Sequence, residues 1–184
     1  MKLLHILPIG NADDSLLQDL RPAIEKTFRL PCKVLPVRLN PEFAFHEERQ
    51  QYHSSEILHR MQSFLPPDSG RLLGVSTVDL FIPILTFVFG EAQMGGPCAV
   101  VSAHRLHQEF YGLPCDRELF HQRVIKEALH ELGHTLNLTH CEDYLCVMAS
   151  SHAVEWIDLK QSALCGACQN VIAPAPQPMP TRKC

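Results

Sequence analysis

The chain of 184 residues has no apolar stretch near the ~18 residues that a membrane helix needs. A membrane-spanning role is therefore not expected. It has no basic excess either: 16 Lys and Arg stand against 20 Asp and Glu, a formal charge of −4. No positive field draws in a phosphate backbone, which argues against nucleic acid as a partner. Aromatic residues are few, 7% with one tryptophan, yet 46% of residues are hydrophobic, enough for one domain to close a real core and too many for global disorder. The N-terminus, Met1 to Ile9, has one lysine and a short apolar run broken by His5 and Pro8, with no small-residue cleavage site before Asp13 and Asp14. That is a poor secretory leader, so a reducing, cytoplasmic setting with free thiols is expected. Two residue types are abundant: eight cysteines and eleven histidines, both metal ligands.

Periodicity outlines the scaffold. Leu3 to Ile9 is an apolar run of strand length closed by Gly10 and Asn11. Leu16, Leu17, Leu20, Ile24 and Phe28 then recur at helical spacing behind an Asp13 or Asp14 cap, with Pro22 expected to kink or divide the helix. Cys32 to Leu39 reads as a second strand, at an edge because of its prolines. Phe43 to Gln51 reads as a polar loop, and Ser54 to Leu65 as an amphipathic helix. Three β-prone runs follow, Arg71 to Val78, Phe87 to Ala92 and Cys98 to Ser102, the last two spaced as a hairpin. This order predicts a mixed α/β sheet in a single domain. Residues 174–180 are proline-rich and read as an extended tail.

The chemistry concentrates after Asp116, a plausible cap for a long helix running toward Leu136. On it His130 and His134 are four residues apart, so both imidazoles leave one face and can hold a single ion, with Glu131 beside them. His140 can join them only if the chain turns sharply after His134. Asn137 stands where glycine usually makes such a turn, and asparagine is the commonest non-glycine residue in the left-handed conformation. Cys141, Cys146, Cys165 and Cys168 form two short-spaced thiol pairs, a structural zinc signature. The remaining cysteines, Cys32, Cys98, Cys115 and Cys184, carry no such spacing and read as core or incidental residues.

The run HELGHTLNLTHC, followed by EDYLC, VM and CGAC, resembles the archaemetzincin family of zinc-dependent metallopeptidases. The resemblance implies a zincin-like fold of the metzincin type: a twisted mixed sheet over an active-site helix, with the FVFGEAQMGG run holding the edge strand over the cleft. It implies that His130, His134 and His140 hold a catalytic zinc, that Glu131 is the general base, and that Met148 is the hydrophobic floor called the Met-turn. Cys141, Cys146, Cys165 and Cys168 would then hold a second, structural zinc, giving two Zn2+ per chain. One zincin-like domain is expected over residues 1–184: an upper part (1–138), a lower part with the Met-turn and thiols (139–173), and the tail (174–184). The expected activity is peptide-bond hydrolysis on a peptide or protein substrate by a monomer. The alternatives are a zinc-stabilised peptide- or protein-binding module, in line with Asn137 and with the lack of a tyrosine just after Met148, and a small-molecule metallohydrolase.

Overall fold

The computed structural model describes residues 3–172. The proline-rich tail and Cys184 lie outside the described residues. In chain order the regular elements are β1 (Leu3–Ile9), α1 (Asp14–Phe28), β2 (Cys32–Val34), β3 (Phe45–His46), β4 (Gln51–His53), α2 (Ser54–Met61), β5 (Ser69–Ser76), β6 (Leu80–Phe81), β7 (Gly90–Ala92), β8 (Cys98–Ser102), α3 (Arg117–Thr135), α4 (Val154–Leu159) and α5 (Gly166–Ile172). The main sheet runs β2-β1-β5-β8-β7, parallel except for β7, which pairs antiparallel with β8 and closes one edge. This is the mixed α/β architecture expected from the strand and helix order.

The continuous apolar character of β1, β5 and β8 follows from burial on both faces. On one face Leu4, Ile6, Leu73, Val75, Ala99 and Val101 pack with α1 and α3. On the other Leu7, Ile9, Leu72, Cys98 and Val100 pack against Ile57, Leu58 and Met61 of α2. The sheet thus carries α3 beneath β8 and β7, which sets the position of the site.

Two expectations need correction and one is narrowed. Pro22 lies inside a continuous α1 and does not divide it. It and Gln18, whose carbonyl loses its partner, both sit on the exposed side of the helix, where the freed group can be solvated. The second strand ends at Val34, with one further rung from the Leu35 N–H to the Ile6 carbonyl at 2.8 Å. The next rung would need an N–H from Pro8 on β1, which proline lacks, and the chain bonds β1 again at Leu39, whose N–H donates to the Pro8 carbonyl at 2.9 Å. Residues 43–51 are not simply a loop: a 3-10 turn (Glu42–Ala44) leads into β3 and β4, which build a small second sheet with β6. The Phe45 and Tyr52 rings meet across that pairing with centroids 5.1 Å apart, and strands of two and three residues are too short to show alternation. Among the described residues no helix is long and apolar enough to cross a membrane.

Candidate metal centre

Asp116 caps α3, its carboxylate accepting the Leu119 N–H at 2.9 Å. Nineteen residues later the helix ends in a Schellman motif: Asn137 N–H donates to the His134 carbonyl at 3.0 Å and Leu138 N–H to the Gly133 carbonyl at 3.1 Å. Asn137 takes the left-handed conformation at φ 65, as the sequence required for the turn. That reversal brings His140 back over the helix. The hairpin after β7 braces it, with Gly95 N–H donating to the same His134 carbonyl at 3.0 Å.

The ring centroids of His130, His134 and His140 stand 4.6, 5.3 and 5.1 Å apart, and one ligand atom from each lies within 4.8 Å of the others. Two of the rings have fixed tautomers. His130 Nδ1 lies 2.9 Å from the Val147 carbonyl and His134 Nδ1 2.7 Å from the Leu138 carbonyl. A carbonyl only accepts, so each Nδ1 carries the proton and each Nε2 is left with a lone pair. Those two Nε2 atoms face each other at 3.1 Å. Two lone pairs at that distance repel unless a cation sits between them, and about 3.3 Å is the spacing of two nitrogens on one tetrahedral zinc. The donor set fits zinc. Burial holds the His130 imidazole well below its ordinary pKa, with Lys160 and His134 adding to the effect, and burial also lowers His134 and His140. The rings are kept in the neutral form that ligates.

Glu131 is buried beside them. Burial raises its carboxyl well above the usual range, and Glu127 and Glu91 push the same way against Lys160. Room for it comes from Gly90 on the edge strand β7, where a Cβ would stand 2.6 Å from Glu131 Cγ and 2.8 Å from Oε1. Met148, fully buried, slides under the helix at a second glycine: a Cβ on Gly133 would stand 2.4 Å from the Met148 sulfur. Neither glycine was singled out from sequence. The available signal was a glycine inside a helical pattern and another inside a β-prone run, both marks of close approach.

Below the helix the four predicted cysteines converge. Cys141 Sγ lies 3.7 Å from Cys165 Sγ and Cys146 Sγ 3.8 Å from Cys168 Sγ, and all four sulfurs fall within 4.8 Å of one another. None of the four is in a disulfide. The corners of a tetrahedral four-thiolate zinc site are about 3.8 Å apart, so this cluster also matches zinc. Backbone hydrogen bonding from Cys168 draws the Cys165 thiol down to about 7, whereas burial raises Cys141 and Cys168, so a cation is what would hold all four as thiolates.

Residues 12–173 match the profile of Peptidase family M54. The chain belongs to this family. Among its relatives, the archaemetzincin of Methanocaldococcus jannaschii is 39% identical over 163 residues, covering 89% of this chain and 88% of that one. The archaemetzincin of Pyrococcus furiosus is 36% identical over 174 residues, covering 90% of each. Two solved structures share the fold. The archaemetzincin of Archaeoglobus fulgidus superposes with a TM-score of 0.79 at 36% identity, covering 93% of this chain and 99% of that one. A zinc-dependent peptidase from Methanocorpusculum labreanum gives 0.83 at 27% identity, covering 92% and 100%. Membership in family M54 makes the chain a zinc metallopeptidase, with peptides or proteins as the substrate class.

Proposed function

We propose that the chain cleaves peptide bonds at a zinc held by His130, His134 and His140, with Glu131 as the general base. The observation that carries this is the 3.1 Å approach of two Nε2 atoms whose Nδ1 protons are committed to backbone carbonyls. A bound zinc supplies Lewis acidity toward the scissile carbonyl and toward the attacking water. Three imidazoles leave a fourth position open, whereas Cys141, Cys146, Cys165 and Cys168 close their own coordination sphere and hold a structural zinc, making two per chain. The Glu131 carboxylate takes a proton from the attacking water and delivers it to the nitrogen of the departing amine. Burial raises the Glu131 carboxyl above its ordinary value, the direction that suits a group that must hand a proton on. Met148 packs under Gly133 and supports the helix turn that carries His130 and His134.

Strand β7 closes the main sheet on the side next to Glu131, and an extended substrate adding to its outer edge would run past that carboxylate. We divide the chain accordingly: residues 1–138 supply the sheet and helix, and residues 139–173 supply His140, the Met-turn and the thiols. A zinc-stabilised binding module loses one of its supports, because Asn137 makes the turn that a glycine would make.

A peptide-library cleavage assay on zinc-loaded protein, with Glu131→Gln run in parallel, tests the proposal. The wild type should cut, and the variant should keep its zinc while losing roughly 10²–10⁴-fold in turnover. Undiminished cleavage by Glu131→Gln removes the general-base role. A wild type that binds zinc and peptides without cutting returns the binding-module reading.

A further inference from the structure

Between the two metal-ligand clusters lies an ion pair that neither cluster contains. Lys160 Nζ donates to Glu127 Oε1 at 3.2 Å, with the side chains 1% and 4% exposed. The same ammonium donates to the Val147 carbonyl at 3.4 Å, the carbonyl that receives the His130 Nδ1 proton at 2.9 Å. Val147 lies between Cys146 and Met148, and its N–H is tied to the Ala163 carbonyl at 2.9 Å, on the segment leading to Cys165. Glu127 sits one turn before Glu131 and three residues before His130 on α3. Two neighbouring α3 cations grip α4 just before Lys160: Arg123 pairs with Asp158 at 2.7 Å, and Lys126 Nζ donates to the Ile157 and Asp158 carbonyls at 3.0 and 3.2 Å.

Removing a charged pair from water costs several kcal/mol, and a fully apolar replacement is often no less stable. The stabilisation of the fold alone gives little reason for this pair. Its geometry gives another, because an oriented carbonyl behind a ligating histidine fixes the tautomer and the ring plane.

Resting on the three-histidine zinc site proposed above, we infer that Lys160, held by Glu127, is a positioning residue that locks the Val147 carbonyl behind His130 and so favours retention of the catalytic zinc. The ammonium has three donors, enough to hold the carboxylate on the helix and the carbonyl on the lower segment together. Lys160 is not among the clustered ligand residues. Its contribution is the angle at which His130 presents Nε2.

The test is zinc release from the fully loaded protein to a chromophoric chelator, read together with steady-state cleavage of a peptide and with the thermal transition. In the wild type the open histidine site should empty in a fast phase and the thiolate site in a slow one. The neutral double variant Glu127→Gln with Lys160→Met should speed the fast phase about tenfold to a hundredfold, leave the slow phase alone, and lower kcat with little change in KM. A loss of fold would speed both phases. Glu127→Asp covers that case, since it keeps the charge pair but draws the ammonium away from Val147, and should speed the fast phase severalfold. A fast phase and kcat at wild-type values in either variant overturn the inference while leaving the zinc site standing. A wild type with a slow phase only, and no cleavage, overturns the zinc-site reading instead.

Discussion

Gly90 and Glu131 touch so closely that the glycine's missing Cβ defines the space of the glutamate: an added methyl would lie 2.6 Å from Cγ. It would also lie 2.7 Å from the Val100 carbonyl, so the edge strand cannot simply tilt away. Gly90→Ala should therefore shift the carboxylate and lower kcat by about 10²-fold, the effect of a misplacement near 1 Å, with a stability loss of about 1–3 kcal/mol from overpacking. Steady-state kinetics and thermal melts check this. Wild-type kcat in the variant would show that Glu131 tolerates the shift.

Gly133 and Met148 stand in the same relation beneath the helix, with 2.4 Å from the built Cβ to the sulfur. Gly133→Ala gains helix propensity yet should destabilise by about 1–3 kcal/mol, because the buried thioether has nowhere to go. Met148→Ala alone should cost about 2–5 kcal/mol through the cavity it leaves. A double-mutant cycle should show the pair costing less than the sum of the two. Additive losses would mean that the two residues do not share the space.

The thiol cluster predicts a separate defect. Cys165→Ser removes one of four ligands, so the variant should carry about one zinc where the wild type carries about two, and should melt at lower temperature. Metal analysis beside calorimetry measures both. An unchanged zinc count would dismiss the structural site.

Acid should weaken the metal-free protein in a definite window. The His130 ring is held well below its usual value of 6.5 by burial, so below about pH 6.5 the unfolded chain takes up a proton that the folded ring refuses. The stability is present above that value and is lost as pH falls, with His134 and His140 contributing in the same direction. Glu131 acts oppositely. Its folded pKa is raised, so it costs stability at neutral pH and the cost is relieved on protonation. Melting temperature should drop between about pH 7 and pH 5, and more steeply in Glu131→Gln, which lacks the compensating proton. A flat profile in both proteins would contradict the depressed histidines.

Much of the site could be read from spacing. A separation of four on a helix is a statement about one face, which is why His130 and His134 were visible, and the left-handed tendency of asparagine made the return of His140 plausible before Asn137 was seen at φ 65. The thiol pairs were visible for the same local reason. Residues defined by what they nearly touch across the fold were not. Gly90 matters through Glu131 and Gly133 through Met148, while Lys160 meets Glu127 across 33 residues of chain with no periodicity to announce it. In the scaffold, alternation and apolar runs marked the long central strands, but β3 and β4 are too short to hold a pattern. Whether Pro22 divides α1 depends on which side of the helix faces water, which the position of the proline alone does not tell.

The central claim is that three imidazole nitrogens share one zinc. Anomalous diffraction at the zinc edge, from crystals of the zinc-loaded protein, tests it most directly. The account predicts one peak about 2.1 Å from a nitrogen of each of His130, His134 and His140, and a second among the four sulfurs. Rings that point apart with no peak between them, in crystals holding excess zinc, would contradict it.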